Sequence, residues 1–410
     1  MRPLAAWLAR PVLSEDVRET SHLLLVSRAL RGFCDGLISV LLPVYLLGLG
    51  LTLVDVGLIS TATLAGSAVA TIVVGALAHR VIPRTMFIWA GALMALTGIG
   101  FGSLSSLWPL LCMAFVGTLN PGGGDVSLFL PLEQSRLADV STQNSRTALF
   151  ARYNLVGSLS IACGALAAGI PAWLSARSGA SELALMRCVF WLYAVIGLVV
   201  TCLYLRLPKT EGRVFTLPQP LSQSRRIVIR LALLFSVDAF AGGLLVNAML
   251  ALWLVQRFDV SAGFAGQLFF GMGVLSGISQ LAAVPLARKF GLINTMVWTH
   301  IPSSLCLIAA AFATSQSLAL VLLLVRSALS QMDVPTRTAY VMAVVTPSER
   351  QAAASFTAVP RSLAAAIAPT LAGGLIGFGW LSAPLVACGA LKIAYDLSLL
   401  LCFREVRPED

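Results

Sequence analysis

The sequence predicts an all-α membrane protein of twelve transmembrane helices arranged as two pseudo-symmetric six-helix bundles. Three observations carry that prediction: recurrent apolar stretches, basic residues confined to alternate connections, and matched residue sets in the two halves. Of 410 residues, 58% are hydrophobic and 11% charged, with a mean hydropathy of +0.88; soluble domains hold about 45–50% apolar and about 25% charged residues. Such a chain needs the lipid bilayer as its solvent. A helix takes about 20 mainly apolar residues to cross a ~30 Å hydrocarbon core. Spans are predicted near 29–50, 53–78, 85–107, 108–131, 148–174, 183–206, 228–254, 262–287, 292–314, 317–345, 351–378 and 382–403.

The charges orient these spans. The opening stretch MRPLAAWLARPVLSEDVRETSHLLLVSR mixes Arg2, Arg10 and Arg18 with acids. It lacks the short apolar run and small-residue cleavage site of a secretory signal, so it is expected to stay attached. Arg80 and Arg84, Arg136 and Arg146, the stretch from Arg206 to Arg230, Arg288 with Lys289, Arg350, and Arg404 with Arg407 fall on the same side as that tail. The other connections offer only Arg177, Arg187 and Arg257. Lys and Arg collect on the cytoplasmic side, so both termini are expected there, in an integral multi-pass protein of a bacterial inner (plasma) membrane. The same distribution explains the formal charge of +10 without a nucleic-acid partner. All eight cysteines fall inside predicted spans, where buried thiols and no disulfide or metal framework are expected.

An internal duplication divides the chain into a first bundle with its tail (1–206), a polar linker (207–227) and a second bundle (228–410). Asp35 lies near the start of the first span and Asp238 near the start of the seventh. Asp125-Val126 precedes Arg152, and Asp333-Val334 precedes Arg361, at nearly equal spacing; a glycine follows each arginine at the same distance, at Gly164 and Gly373. Parallel six-helix repeats of this kind place a substrate site at their interface near the midplane.

The turn after the second span, Gly75-Ala76-Leu77-Ala78-His79-Arg80-Val81-Ile82-Pro83-Arg84, resembles the signature of the major facilitator superfamily of secondary transporters. A partial copy, Leu286-Ala287-Arg288-Lys289-Phe290-Gly291, closes the eighth span. The resemblance covers the whole chain through span count, repeat and linker, and implies a cytoplasmic gate at Gly75, His79, Arg80 and Arg84. His79 stands where the family's acid usually stands and Ile82 where its glycine does, so the acid's latch role does not carry over to His79 unmodified. The fifth span lacks a clear match to the Gly-Pro-Gly-Gly signature of drug/proton antiporters.

Ionisable groups inside a bilayer are costly and each is a functional candidate. Asp35, about six residues into its span and so ~9 Å deep at 1.5 Å per residue, and Asp238 are the proton-coupling candidates. The competing reading of Asp35 is simple neutralisation by Arg31, four residues earlier on the same helix face. Asn120-Pro121-Gly122-Gly123-Gly124-Asp125 cannot sustain a stiff helix and reads as a hinge on the substrate path or as a close packing surface. Arg31, Asn120, Asp125, Tyr153, Asn154, Asn247, Arg326 and Gln331 are candidate cavity residues. Among them, Arg326 offers a mid-span guanidinium that suits a carboxylate or phosphate. Asp125 with Arg152, and Asp333 with Arg361, are expected to pair near the cytoplasmic ends as structural ties or gate locks. Lys392 and Asp396 are expected to neutralise each other at i,i+4, and His300 to be a hydrogen-bonded core residue.

These features lead to a secondary transporter of a small organic solute, working by alternating access and coupled to protons. Efflux of a drug or metabolite and movement of a lysophospholipid are the alternatives. No G-x-x-x-x-G-K-[ST] run provides a phosphate cradle for primary pumping. His22, His79 and His300 are too scattered to suggest a metal site or an acid/base dyad, so no cofactor and no enzyme activity are expected. A monomer is the default expectation.

Overall fold

A computed structural model describes residues 15–77, 81–122, 129–140, 143–208, 222–346 and 349–403. Among them the first half forms α1 (Glu15–Gly48), α2 (Leu53–Leu77), α3 (Pro83–Ser103), α4 (Leu107–Val116), α5 (Phe129–Val140), α6 (Gln143–Ala167), α7 (Ile170–Ser178) and α8 (Glu182–Leu205). The second half forms α9 (Arg225–Gly243), α10 (Asn247–Phe258), α11 (Ala262–Phe290), α12 (Leu292–Ala311), α13 (Gln316–Ser330), α14 (Asp333–Val344), α15 (Arg350–Gly377) and α16 (Ala383–Phe403). Leu-, Ala- and Val-rich runs set these helices and short polar signals end them. Ser261 and Ser315 accept the Phe264 and Leu318 backbone N–H groups as N-caps of α11 and α13, and Gly179 closes α7 in the left-handed conformation.

Among the described residues, ten helical stretches are long and apolar enough to cross a bilayer, and two shorter apolar helices, α4 and α13, open the fourth and tenth spans. The two spans are interrupted in corresponding places. After α4, residues 117–122 leave the helix. After α13, Gln331 and Met332 break the run before α14 begins. Non-helical backbone at membrane depth must find partners within the protein, and the Pro121 carbonyl accepts the Ala248 backbone N–H at 3.0 Å, from the first turn of α10 in the other half.

The halves meet through α2 with α15 and through α6 with α11. These contacts lie at the end of the bundle remote from the termini. Thr61 and Thr370 share a hydrogen bond of 2.8 Å. A Cβ on Gly57 would lie 2.6 Å from the Pro369 carbonyl, and one on Gly169 would lie 2.8 Å from the Gly263 Cα. Absent side chains therefore let the backbones approach there. The outward faces stay apolar, with Trp89, Trp108 and Leu401 at 71%, 76% and 84% exposure, as lipid contact requires.

Three expectations change. The first helix begins at Glu15 and its membrane-spanning stretch at Arg18, not near 29, which puts Asp35 towards the middle of its helix. The seventh begins at Arg225, inside the segment assigned to the linker. Of the cysteines, only Cys34 and Cys388 are buried; Cys112, Cys163, Cys188, Cys202 and Cys402 sit on exposed faces, because hydropathy marks a residue as membrane-embedded without telling lipid-facing from core-facing.

Candidate functional site

Each half carries a buried ionic cluster. In the first, Arg31 on α1 forms an ion pair with Glu133 on α5, at 2% and 0% side-chain exposure. Glu133 also accepts the Tyr153 hydroxyl from α6 and the Tyr204 hydroxyl from α8, the latter at 2.7 Å. The Arg31 guanidinium stacks 4.1 Å from the Phe129 ring centre and Arg28 lies 5.1 Å from that of Tyr153. One carboxylate thus ties four helices. Asp35, one turn along α1 from Arg31, is 6% exposed and makes no hydrogen bond or ion pair among the described residues. Arg31 therefore does not neutralise it by direct contact, because its guanidinium is committed to Glu133.

The second cluster is a chain of alternating charge across α9, α12, α14 and α16. Asp238 accepts Lys392 Nζ at 2.6 Å and lies 3.1 Å from Arg337 Nη2. Arg337 in turn pairs with Asp333. Lys392 Nζ is 3.4 Å from His300 Nε2, and His300 Nδ1 is 3.0 Å from Asp396. An ammonium can only donate, so Nε2 accepts, and a neutral ring must then carry its proton on Nδ1 and donate it to Asp396. A polar cavity of about 130 Å³ opens beside this chain between α12, α13, α14 and α16.

Two expected pairings are corrected here. Lys392 turns to Asp238 rather than to Asp396, since the acid on the neighbouring helix is nearer to its ammonium and His300 claims Asp396. Asp333 pairs with Arg337, four residues on, and not with Arg361, whose Nε has no hydrogen-bond partner.

Of the remaining candidates, Tyr153 is buried on Glu133, and Asn154 beside it is exposed. Asn120 is buried and its Oδ1 accepts the Gly122 N–H at 3.1 Å. Asn247 opens α10, partly buried, while Arg326 and Gln331 line the cavity. Arg84 donates to the Leu205 carbonyl, tying α3 to the end of α8 within its own half. Gly75 lies in the last turns of α2 and Arg152 is partly buried on α6. His79, Arg80 and Asp125 lie outside the described residues, and the proposed Asp125–Arg152 pair with them.

Sequence reasoning missed Glu133, Arg337 and Lys392 as members of these clusters. Glu133 falls just past the predicted end of the fourth span; continuing that span through the break would have exposed an acid among apolar residues. Arg337 was legible as the i+4 neighbour of Asp333.

The model of the family named Major Facilitator Superfamily matches residues 24–240 and 231–410. An uncharacterized membrane protein of Saccharomyces cerevisiae is 24% identical over 429 residues, covering 96% of this chain and 95% of its own length. Among solved structures, the nucleoside transporter NupG superposes with a TM-score of 0.68 at 12% identity, over 95% of this chain and 99% of that one. A bacterial homolog of the human lysosomal transporter Spinster, inward-facing and unoccupied, gives 0.69 at 14% over 95% of each chain, and a D-xylose-proton symporter gives 0.69 at 15% over 94% and 98%. With the family model covering nearly the whole described chain and the fold shared end to end, this protein belongs to the Major Facilitator Superfamily of membrane transporters.

Proposed function

We propose that the chain is a proton-coupled secondary transporter of a small organic solute, working by alternating access with both termini in the cytoplasm. The observation that carries the reading is the contrast between two buried acids at duplicated positions. Asp238 is held by two cations. Asp35 is buried with none in contact, and an isolated ionised carboxylate is expensive to keep out of water. Asp35 is thus the acid that can carry a proton without displacing a partner. Asp238 can do so only by releasing Lys392 or Arg337, a rearrangement suited to a switch between two states. The inter-bundle contacts at the end remote from the termini, with the basic connections at the other, support a solute cavity reached from the cytoplasm in this state. That one of the similar structures is a D-xylose-proton symporter agrees with the reading.

A second reading, movement of a lysophospholipid, is favoured by an apolar groove of about 470 Å³ at the seam of the halves, lined by Leu47, Leu53, Val54 and Phe378 among others. Purified protein in liposomes decides between them. Under an imposed pH gradient, uptake or efflux of a soluble solute should be accompanied by proton flux, and Asp35→Asn should leave solute exchange while abolishing gradient-driven accumulation. Solute movement indifferent to pH in both the wild type and Asp35→Asn overturns proton coupling. Movement only of fluorescent lysolipid selects the second reading.

A further inference from the structure

We propose that the polar cavity inside the second bundle is a binding site for one small oxyanion group, a carboxylate or phosphate. Its walls come from spans nine, ten and twelve, and its volume of about 130 Å³ falls below the ~300–1,000 Å³ of pockets for drug-sized ligands. It is sized for a small anionic head rather than for a drug-sized molecule.

Its donors fit that ligand. Arg326, Ser330 and Gln331 line it from span ten, Ser304 from span nine and Lys392 from span twelve. The other charged walls are already matched, with Lys392 on Asp238 and Arg337 on both Asp238 and Asp333. Arg326 differs: its guanidinium makes no hydrogen bond or ion pair among the described residues, although its own backbone carbonyl accepts the Ser303 hydroxyl. An arginine fork within a membrane protein interior is matched best by a bidentate oxyanion. Independently, the Ser304 hydroxyl lines the same cavity, is 1% exposed and has no hydrogen-bond partner; a buried polar group left in that way costs free energy. An oxyanion seated on Arg326 would take the Ser304 hydroxyl as a second donor and place its charge next to Lys392 and Arg337. It would then compete with Asp238 for those cations, which ties anion occupancy to the ion chain. This goes beyond the transport reading and rests on it only for the inference that the moved solute carries such a group.

The test uses full-length protein in detergent. Apparent melting temperature is followed against sodium phosphate, sodium acetate and a neutral pentose, with sodium chloride matching ionic strength. Phosphate or acetate should raise it in a saturable way beyond chloride, and the pentose should not. Arg326→Gln should weaken the apparent affinity about tenfold or more, as expected for loss of a charged hydrogen bond, with Arg326→Lys partly restoring it. Ser304→Ala, which removes only a hydroxyl and should fold if Arg326→Gln does not, should weaken it severalfold. Saturation by phosphate assigns a phosphate group, and saturation by acetate alone a carboxylate. No saturable shift with either anion, or equal affinity in Ser304→Ala and wild type, overturns the site. Proton-coupled transport of a neutral solute by protein that binds neither anion would remove this inference and leave the transport reading standing. Anion binding without transport in liposomes would do the reverse.

Discussion

The two halves descend from matched sequence patterns yet use their buried charges differently. The first bundle has one hub, Glu133, which gathers Arg31, Tyr153 and Tyr204 from three other helices. The second has a chain in which Asp238, Arg337 and Lys392 each have two neighbours of interest. A hub has one arrangement, and losing any spoke leaves the rest in place. In a chain, every ion can trade one partner for another, so a change at one end moves charge along it. The duplicated glycines show the same divergence. A Cβ on Gly164 would lie 1.9 Å from the Phe33 carbonyl within its own half, whereas one on Gly373 would lie 2.8 Å from the Leu53 carbonyl of the other half. One copy of the motif builds a bundle, and the other joins two.

The largest effect should come from breaking the chain. Asp238→Asn leaves Lys392 and Arg337 without their shared carboxylate, and removing one partner of a buried pair costs about 3–5 kcal/mol. Thermal unfolding in detergent should show that loss, and adding Lys392→Met should recover part of it. If the double variant is no more stable than Asp238→Asn, the chain is not an energetic unit.

Breaking the hub should cost less. Glu133→Gln can still accept the tyrosine hydroxyls but leaves Arg31 a buried, unpaired cation, for an expected loss at the lower end of ~3–5 kcal/mol, and the pH profile of transport should keep its shape. A shifted profile would make the first bundle a switch as well and erase the contrast.

A smaller, pH-dependent effect concerns the connection between spans ten and eleven. Glu349 accepts the backbone N–H and hydroxyl of Ser222 at 2.6 and 2.7 Å, and the N–H groups of Gln223 and Ser224 at 3.0 and 2.9 Å, just ahead of α9. The Ser222 hydroxyl and backbone bonds, then those from Ser224, hold its carboxyl well below the ordinary value of 4.5. Because the folded value is the lower one, the stabilisation is present above about 4.5 and is lost as pH falls towards the folded value. Glu349→Gln should therefore flatten the decline of melting temperature below that pH. An unchanged slope would mean that this clasp does not persist in solution.

The smallest loss of stability should be that of Asp35→Asn, whose melting temperature should not fall, since no ion pair is lost and a neutral amide replaces a buried, isolated carboxylate. A loss on the scale of Asp238→Asn would reveal a partner for Asp35 and return the first bundle to the status of its twin.

The sequence by itself determined that the chain lives in a bilayer, how many times it crosses, and where the duplicated acids lie. Those properties depend on local hydropathy and spacing, which survive without knowledge of any neighbour. The breaks in the fourth and tenth spans were half legible: Pro121 and the glycines after it announced the first, while nothing in the run Ser330-Gln331-Met332 announced the second. What only the tertiary structure decided is which cation meets which acid. Lys392 and Asp396 share a helix face at i,i+4, and yet Lys392 reaches across to Asp238 while His300 takes Asp396. Helix rotation and crossing distance make that choice. They are set by packing at contacts such as Gly57 on Pro369 and Gly164 on Phe33, where residues far apart in sequence must fit together before any ion can find its partner.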